Sequence, residues 1–247
     1  MRAAPAPVAL DVLAGHLRTI RLPERTTALL DRVGTGGPFH CPVNDPDAPD
    51  GRAASGRGDF DNREACASDG VVSADAVDSS TASGSFSLEI LVVDLLAERL
   101  TRLLDGIFDA TVQPDMTALT RALSGLGPGL TPTGDDLLVG VAAACRRLVA
   151  GGFWPATRRD VLFAVLAEMG DTGTTSVARE MVGRAAVGQF PEVLTGFVEL
   201  LGDRNARADQ VQAATGRLAA IGAHSGADML AGVVALAARA CREGTTR

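Results

Sequence analysis

The chain has 247 residues, 46% of them apolar, and a formal net charge of −7, which allows a sizeable core in one large or two small domains. All 23 basic residues are Arg, because the sequence contains no Lys, and this excludes Schiff-base enzymes and P-loop nucleotide binders. The acidic balance without a basic cluster also argues against a nucleic-acid partner.

The N-terminal MRAAPAPVALDVLAGHLRT lacks the continuous apolar stretch of a signal peptide, and no apolar run approaches the roughly 20 residues of a membrane span. The expected location is cytoplasmic, with no membrane partner. Two short helices are predicted over 8–18 and 24–33, forming an N-terminal segment, 1–33. Residues 34–85 then contain no Leu, Ile, Met or Trp and set nine acids against three Arg, a local charge of −6. Such a stretch cannot bury a core of its own and reads as an acidic loop or disordered insert, with Val71 and Val72 able to support one short strand at most.

From residue 86 the pattern is helical to the end. SLEILVVDLLAERLTRLLDGIF predicts a helix over 87–108. Shorter helices are predicted over 115–124, 134–150, 158–169, 175–187, 190–201, 208–221 and 227–242, with Gly or Pro at most boundaries. The fold class is therefore mainly α: a helical domain, 86–247, behind a smaller, irregular N-terminal part. The four cysteines have no metal-binding spacing, and Cys145 and Cys241 lie in apolar helical stretches that predict buried free thiols.

Residues 125–136, GLGPGLTPTGDD, combine four glycines and two prolines with two acids at a helix start. That start, TGDDLLVGVAAAC, is repeated as SGADMLAGVVALA at 225–237. Thr133 and Ser225 are good N-caps, and Asp136 and Asp228 stand where a capping box places its acid. Thr157 and Asp160 share that T-x-x-D form with no other feature of the repeat, so capping alone is an ordinary reading. Gly140 and Gly232, however, recur at the same phase inside their helices, where each costs about 1 kcal/mol relative to Ala. A crossing of the two helices at these glycines would explain both, and would bring two helix N-termini to one pocket.

Such a pocket, with the Gly-rich loop beside it, suits an anion. Backbone N–H groups near Gly127, Gly129 and Gly134 are the expected donors, and Thr131, Thr133 and Ser225 line the approach. Asp136 and Asp228, assisted by Asp135, would then accept hydrogen bonds from a ligand NH2 or hold Mg2+; no cofactor is otherwise indicated. His224, directly before the second repeat, is a candidate for moving a proton, whereas His16 and His40 have no comparable neighbours. The run TGTTSVARE adds Thr175, Ser176 and Arg179, with Arg184 one turn beyond, as further candidate ligand contacts.

The order GLGPGLTPTGDDLLVG, TTSVAREMVGRAAVGQF, IGAHSGADMLAG resembles the AllH-like small subunit family of the oxamate carbamoyltransferase of allantoin degradation, over roughly residues 118–242. The resemblance implies a part in interconverting oxalurate plus phosphate with oxamate plus carbamoyl phosphate, beside other carbamoyltransferase subunits. It also implies strands in the N-terminal part, an α+β element that the polar residues 34–85 do not match. The expected substrate is thus a small ureido or carbamoyl carboxylate, with Asp136, Asp228, His224 and Asp135 as catalytic candidates. Two other classes stay open on the residues alone: a metal-dependent hydrolase of a small amide or ureide, and a non-catalytic subunit that binds an anionic metabolite.

Overall fold

A computed structural model describes residues 10–34, 80–108, 115–169 and 173–245. Ten helices run through them: α1 (Leu10–Thr19), α2 (Glu24–Arg32), α3 (Ser80–Phe108), α4 (Met116–Leu123), α5 (Thr133–Ala150), α6 (Ala156–Glu168), α7 (Ser176–Ala186), α8 (Glu192–Leu201), α9 (Ala208–Ala219) and α10 (Ser225–Thr245). No strand occurs among the described residues, and no helix there is long and apolar enough to cross a membrane. The helical reading from periodicity therefore holds, to within a few residues at most boundaries. The main departure is α3, which begins at Ser80, so the last six residues of the expected loop, 80–85, are helical. Extending an existing helix adds a backbone hydrogen bond for each residue fixed, whereas starting one does not, so weak formers can join a strong helix. Most of the acidic segment, with Cys41, Cys66, His40, Val71 and Val72, lies outside the described residues.

α5 and α10 form the centre. Every residue from Thr133 to Cys145 is buried, as is nearly every residue from Gly226 to Cys241, which is why both sequences are apolar on all sides rather than along one stripe. The two helices pack on each other more extensively than any other pair. Around them, α1, α2 and α9 lie against α10, α6 and α7 against α5, and α8 against both, while α3 packs on α2 and α4. Leu13 and Leu17 of α1 and Leu29 and Leu30 of α2 belong to the same buried cluster as Leu137 and Val233. His16 is buried too, its ring nitrogens 3.0 and 3.2 Å from the carbonyl oxygens of Leu201 and Ala206. Cys145 and Cys241 are buried free thiols, and burial pushes the Cys145 thiol up to about 12.

The crossing of α5 and α10 is set by glycine. A Cβ on Gly140 would stand 2.0 Å from the Met229 carbonyl oxygen, and one on Gly232 would stand 2.3 Å from that of Leu137. The contacts are reciprocal: Gly140 faces Met229 and Val233, and Gly232 faces Leu137 and Val141, the matching positions of the repeat. Backbone meets backbone here, so even one methyl group would force the helices apart.

Candidate active site at the paired helix openings

The crossing lies close to both helix starts, and their side chains meet. The hydroxyl oxygens of Thr131, just before α5, and Ser225, at the start of α10, are 2.6 Å apart. Arg25 of α2 spans the same junction, donating from Nε to Asp228 Oδ1 at 3.2 Å and from Nη2 to Thr133 Oγ1 at 2.9 Å. Thr131, Thr133, Asp136, Ser225 and Asp228 are thus brought together from two distant parts of the sequence.

Each opening is pressed against the end of the preceding helix. A Cβ on Gly134 would fall 1.8 Å from the Leu123 carbonyl oxygen, and one on Gly226 would fall 1.8 Å from that of Leu218. The second glycine of the T/S-G-x-D pattern is therefore a packing position. The expected use of the Gly134 N–H for an anion does not hold, because that group donates to the Leu126 carbonyl at 2.8 Å. Gly127 and Gly129 do adopt backbone angles that favour glycine, with φ of 107° and 109°. A Cβ at Gly127 would also meet the Thr133 side chain at 2.9 Å.

The capping-box expectation fails at α5. Its N-cap position is Pro132, no side chain caps the helix, and the Thr133 hydroxyl is engaged by Arg25. Asp136 is wholly buried, and among the described residues neither carboxylate oxygen has an aligned hydrogen-bond partner. The Thr131 and Ser225 hydroxyls, 2.6 Å from each other, lie near enough to favour its charged form. Desolvation dominates, reinforced by the charges of Asp228 and Asp135, and raises the Asp136 carboxyl to about 7. Asp228, 3% exposed, is also pushed up by burial, but the Arg25 guanidinium, the Thr133 hydroxyl and the charge of His224 oppose the shift. One acid of the repeat is offset by a cation, and its twin, without one, carries the larger upward shift.

Asp135 has another task. Although adjacent to Asp136 and equally buried, it accepts from Ser124 Oγ and the Gly125 N–H at 3.0 Å each and from Thr174 Oγ1 at 2.6 Å. It ties the Gly-rich loop to the segment before α7. Gly125 is needed there, since a Cβ would stand 2.1 Å from the Gly173 carbonyl oxygen. Thr175 caps α7 by accepting from the Ala178 N–H at 3.1 Å, and its hydroxyl donates to the Leu130 carbonyl. Ser176 and Arg179 are exposed on α7, where Arg179 borders a small cavity shared with Asp135 and Thr174 rather than the paired openings. Arg184 forms an i, i+4 ion pair with Glu180 at 2.7 Å. His224 is exposed, and its carbonyl accepts from the Asp228 N–H at 2.9 Å. Asp160 is an exposed surface residue paired with Arg159, as its ordinary T-x-x-D setting suggested.

Arg25 is the residue that sequence reasoning missed. It sits in an unremarkable amphipathic helix, 108 residues from Thr133 and 203 from Asp228, and nothing in its local pattern marks it. The metal expectation finds little support in the donor set. Among the described residues no three His, Cys, Asp or Glu side chains are grouped to hold an ion. Asp228 already faces a guanidinium, and the oxygens of Asp135 are taken.

No curated protein and no solved structure gives a significant match to the chain. Residues 123–237, which carry the Gly-rich loop, both helix openings and all four acidic and histidine candidates, match the model of the family described as "Oxamate carbamoyltransferase subunit AllH".

Proposed function

We propose that the protein is a subunit of a carbamoyltransferase that exchanges a carbamoyl group between a small ureido carboxylate, such as oxalurate, and phosphate, with the paired openings of α5 and α10 as its reaction site. The observation that carries this reading is Asp136: a buried carboxyl group whose oxygens have no aligned hydrogen-bond partner among the described residues and whose pKa is raised to about 7. A buried polar group is ordinarily satisfied, and an unsatisfied one at a cluster of functional side chains is poised for a ligand.

The chemistry fits these groups. Phosphate oxygen attacks the carbamoyl carbon, a tetrahedral oxyanion forms, and the C–N bond to the amide nitrogen breaks as that nitrogen takes up a proton. Asp136, protonated near pH 7, supplies that proton and recovers it in the reverse direction. Asp228 stays ionised beside Arg25 and accepts a hydrogen bond from the carbamoyl NH2. The Thr131 and Ser225 hydroxyls donate to the developing oxyanion, together with the N–H groups near Gly127 and Gly129. Asp135 shapes the loop that carries those donors. His224, at the exposed rim, exchanges protons with solvent. The subunit designation of the family supports work beside other carbamoyltransferase chains.

The test is reconstitution. The chain is co-purified with its partners, and carbamoyl phosphate formation from oxalurate and phosphate is measured. Asp136→Asn is expected to fold and to lose on the order of 100- to 10,000-fold in turnover, as loss of a general acid does. Asp160→Asn, which keeps the T-x-x-D form outside the site, is expected to match the wild type. Equal activity in all three would leave Asp136 as a buried structural acid.

A further inference from the structure

We infer that Arg25 is the oxyanion anchor of this site, holding the carboxylate or phosphate of the ligand with the guanidinium edge that the protein leaves unused. The inference rests on the paired openings being a ligand site, but not on which reaction occurs there.

The guanidinium carries five N–H donors in a fixed planar fork. Its Nε is directed at Asp228 and one Nη2 hydrogen at Thr133, so the side nearest the chain is taken. Nη1 and the second hydrogen of Nη2 have no partner among the described residues. They form one edge of the fork, the geometry that takes two oxygens of a carboxylate or phosphate at once. The Arg25 side chain is 37% exposed while the side chain of Asp228 beneath it is 5% exposed. The free edge therefore faces outward, and the bound edge faces the buried acid.

The backbone under Arg25 is fixed from an independent direction. Thr26, buried at 2% exposure, donates from Oγ1 to the Ala227 carbonyl at 3.1 Å, pinning the first turn of α2 to the residue before Asp228. Two adjacent residues of α2 thus bind two adjacent residues of α10. An Arg serving Asp228 alone needs only one contact; orientation by Asp228, Thr133 and the Thr26 pin holds the fork in one plane, and that reduces the entropy lost on binding an anion. Asp136, near Asp228 and Ser225, is buried, and its oxygens have no aligned partner among the described residues. As a neutral acid it does not repel an incoming anion, while the ionised Asp228 is already offset by Arg25. An anchor at Arg25 also makes the N-terminal segment a functional part of the site, although Arg25 lies outside the 123–237 family region.

The experiment titrates the full-length chain, by calorimetry, with oxamate and separately with inorganic phosphate, for wild type, Arg25→Gln and Arg25→Lys, beside their melting curves. Arg25→Gln is expected to weaken binding of one of the two probes by on the order of 10- to 100-fold, the effect of losing a charge-assisted pair of hydrogen bonds. Arg25→Lys keeps a charge beside Asp228 and tests the fork; it is expected to melt like the wild type yet bind that probe more weakly. The probe affected identifies whether carboxylate or phosphate occupies the edge. Oxyanion binding unchanged in Arg25→Lys and Arg25→Gln, or absent in the wild type, overturns the assignment. Binding that depends on Arg25 in a chain whose assembled complex forms no carbamoyl phosphate would sink the proposed reaction and leave the anchor standing.

Discussion

The openings of α5 and α10 have the same backbone and opposite electrostatic solutions. Both begin with a hydroxyl residue and a glycine pressed on the preceding helix, both place an acid one turn inside, and both cross the partner at a glycine. Yet Asp228 is met by the Arg25 guanidinium, whereas no cation among the described residues is paired with Asp136. Two buried carboxylates this close cannot both ionise at low cost, and one cation settles which of them does. Repetition of a helix opening supplies the shared backbone, and a single residue from outside the repeat makes its two acids differ.

The shared half of that comparison is the easiest to break. Gly140→Leu or Gly232→Leu inserts a side chain where even a Cβ would overlap a carbonyl of the facing helix. The expected cost exceeds the roughly 5 kcal/mol at the low end of domain stability, so cooperative melting should disappear. Gly216→Ala in α9 serves as the contrast, because a Cβ there meets nothing within 4 Å and the position is exposed. It should raise the melting temperature by the equivalent of about 1 kcal/mol. Loss of stability in both classes would mean that helix propensity is not separated from the crossing.

The unshared half shows in pH. The Asp136 carboxyl moves from 3.8 to about 7 on folding, so the folded chain binds the proton more tightly than the unfolded one. The sign follows: this group's contribution is fully favourable below about pH 4 and is lost as pH rises toward 7, by as much as about 4 kcal/mol. Melting of the wild type should therefore decline between pH 4 and pH 8. Asp136→Asn removes the titrating group, should flatten that decline, and should melt above the wild type at pH 8. Asp228→Asn should flatten it less, since Arg25 already offsets part of the cost of its charge. Identical pH profiles for the two variants would erase the distinction between the paired acids.

Much of this was legible in the sequence, for definable reasons. Helices over 3.6-residue periods, the repeated openings and the matched glycines are local patterns, and each survives in the structure. Their meaning was less accessible. Thr133 and Asp136 satisfy the spacing of a capping box, but that spacing is silent about whether Arg25, distant in sequence, will claim the threonine hydroxyl. Gly134 reads as a backbone donor, yet contact with the Leu123 carbonyl, a tertiary fact, decides its role. Arg25 itself was invisible because its significance lies wholly in where α2 docks. Asp135 and Asp136 could not be separated by pattern at all: they are neighbours with the same side chain, and only the directions of their oxygens distinguish them.

That last pair gives the finest test. Asp135 accepts three hydrogen bonds, from Ser124, Gly125 and Thr174, while Asp136 accepts none. Asp135→Asn presents an NH2 group to donors that need acceptors, leaving one or more of them unsatisfied, at an expected cost of about 2 kcal/mol. The loss should be local as well as global. The Gly125 amide is held by the Asp135 carboxylate, so its hydrogen exchange should accelerate more than that of Leu148 in the middle of the buried cluster. At pH 8 the two neighbouring substitutions should then shift melting in opposite directions: down for Asp135→Asn, whose carboxylate is satisfied, and up for Asp136→Asn, whose carboxylate is not. Asp160→Asn, on an exposed acid paired only with its neighbour Arg159, should move it by less than about 0.5 kcal/mol. A destabilised Asp136→Asn chain at pH 8 would show that the buried carboxylate does have a satisfying partner, and the division of labour between the two openings would have to be abandoned.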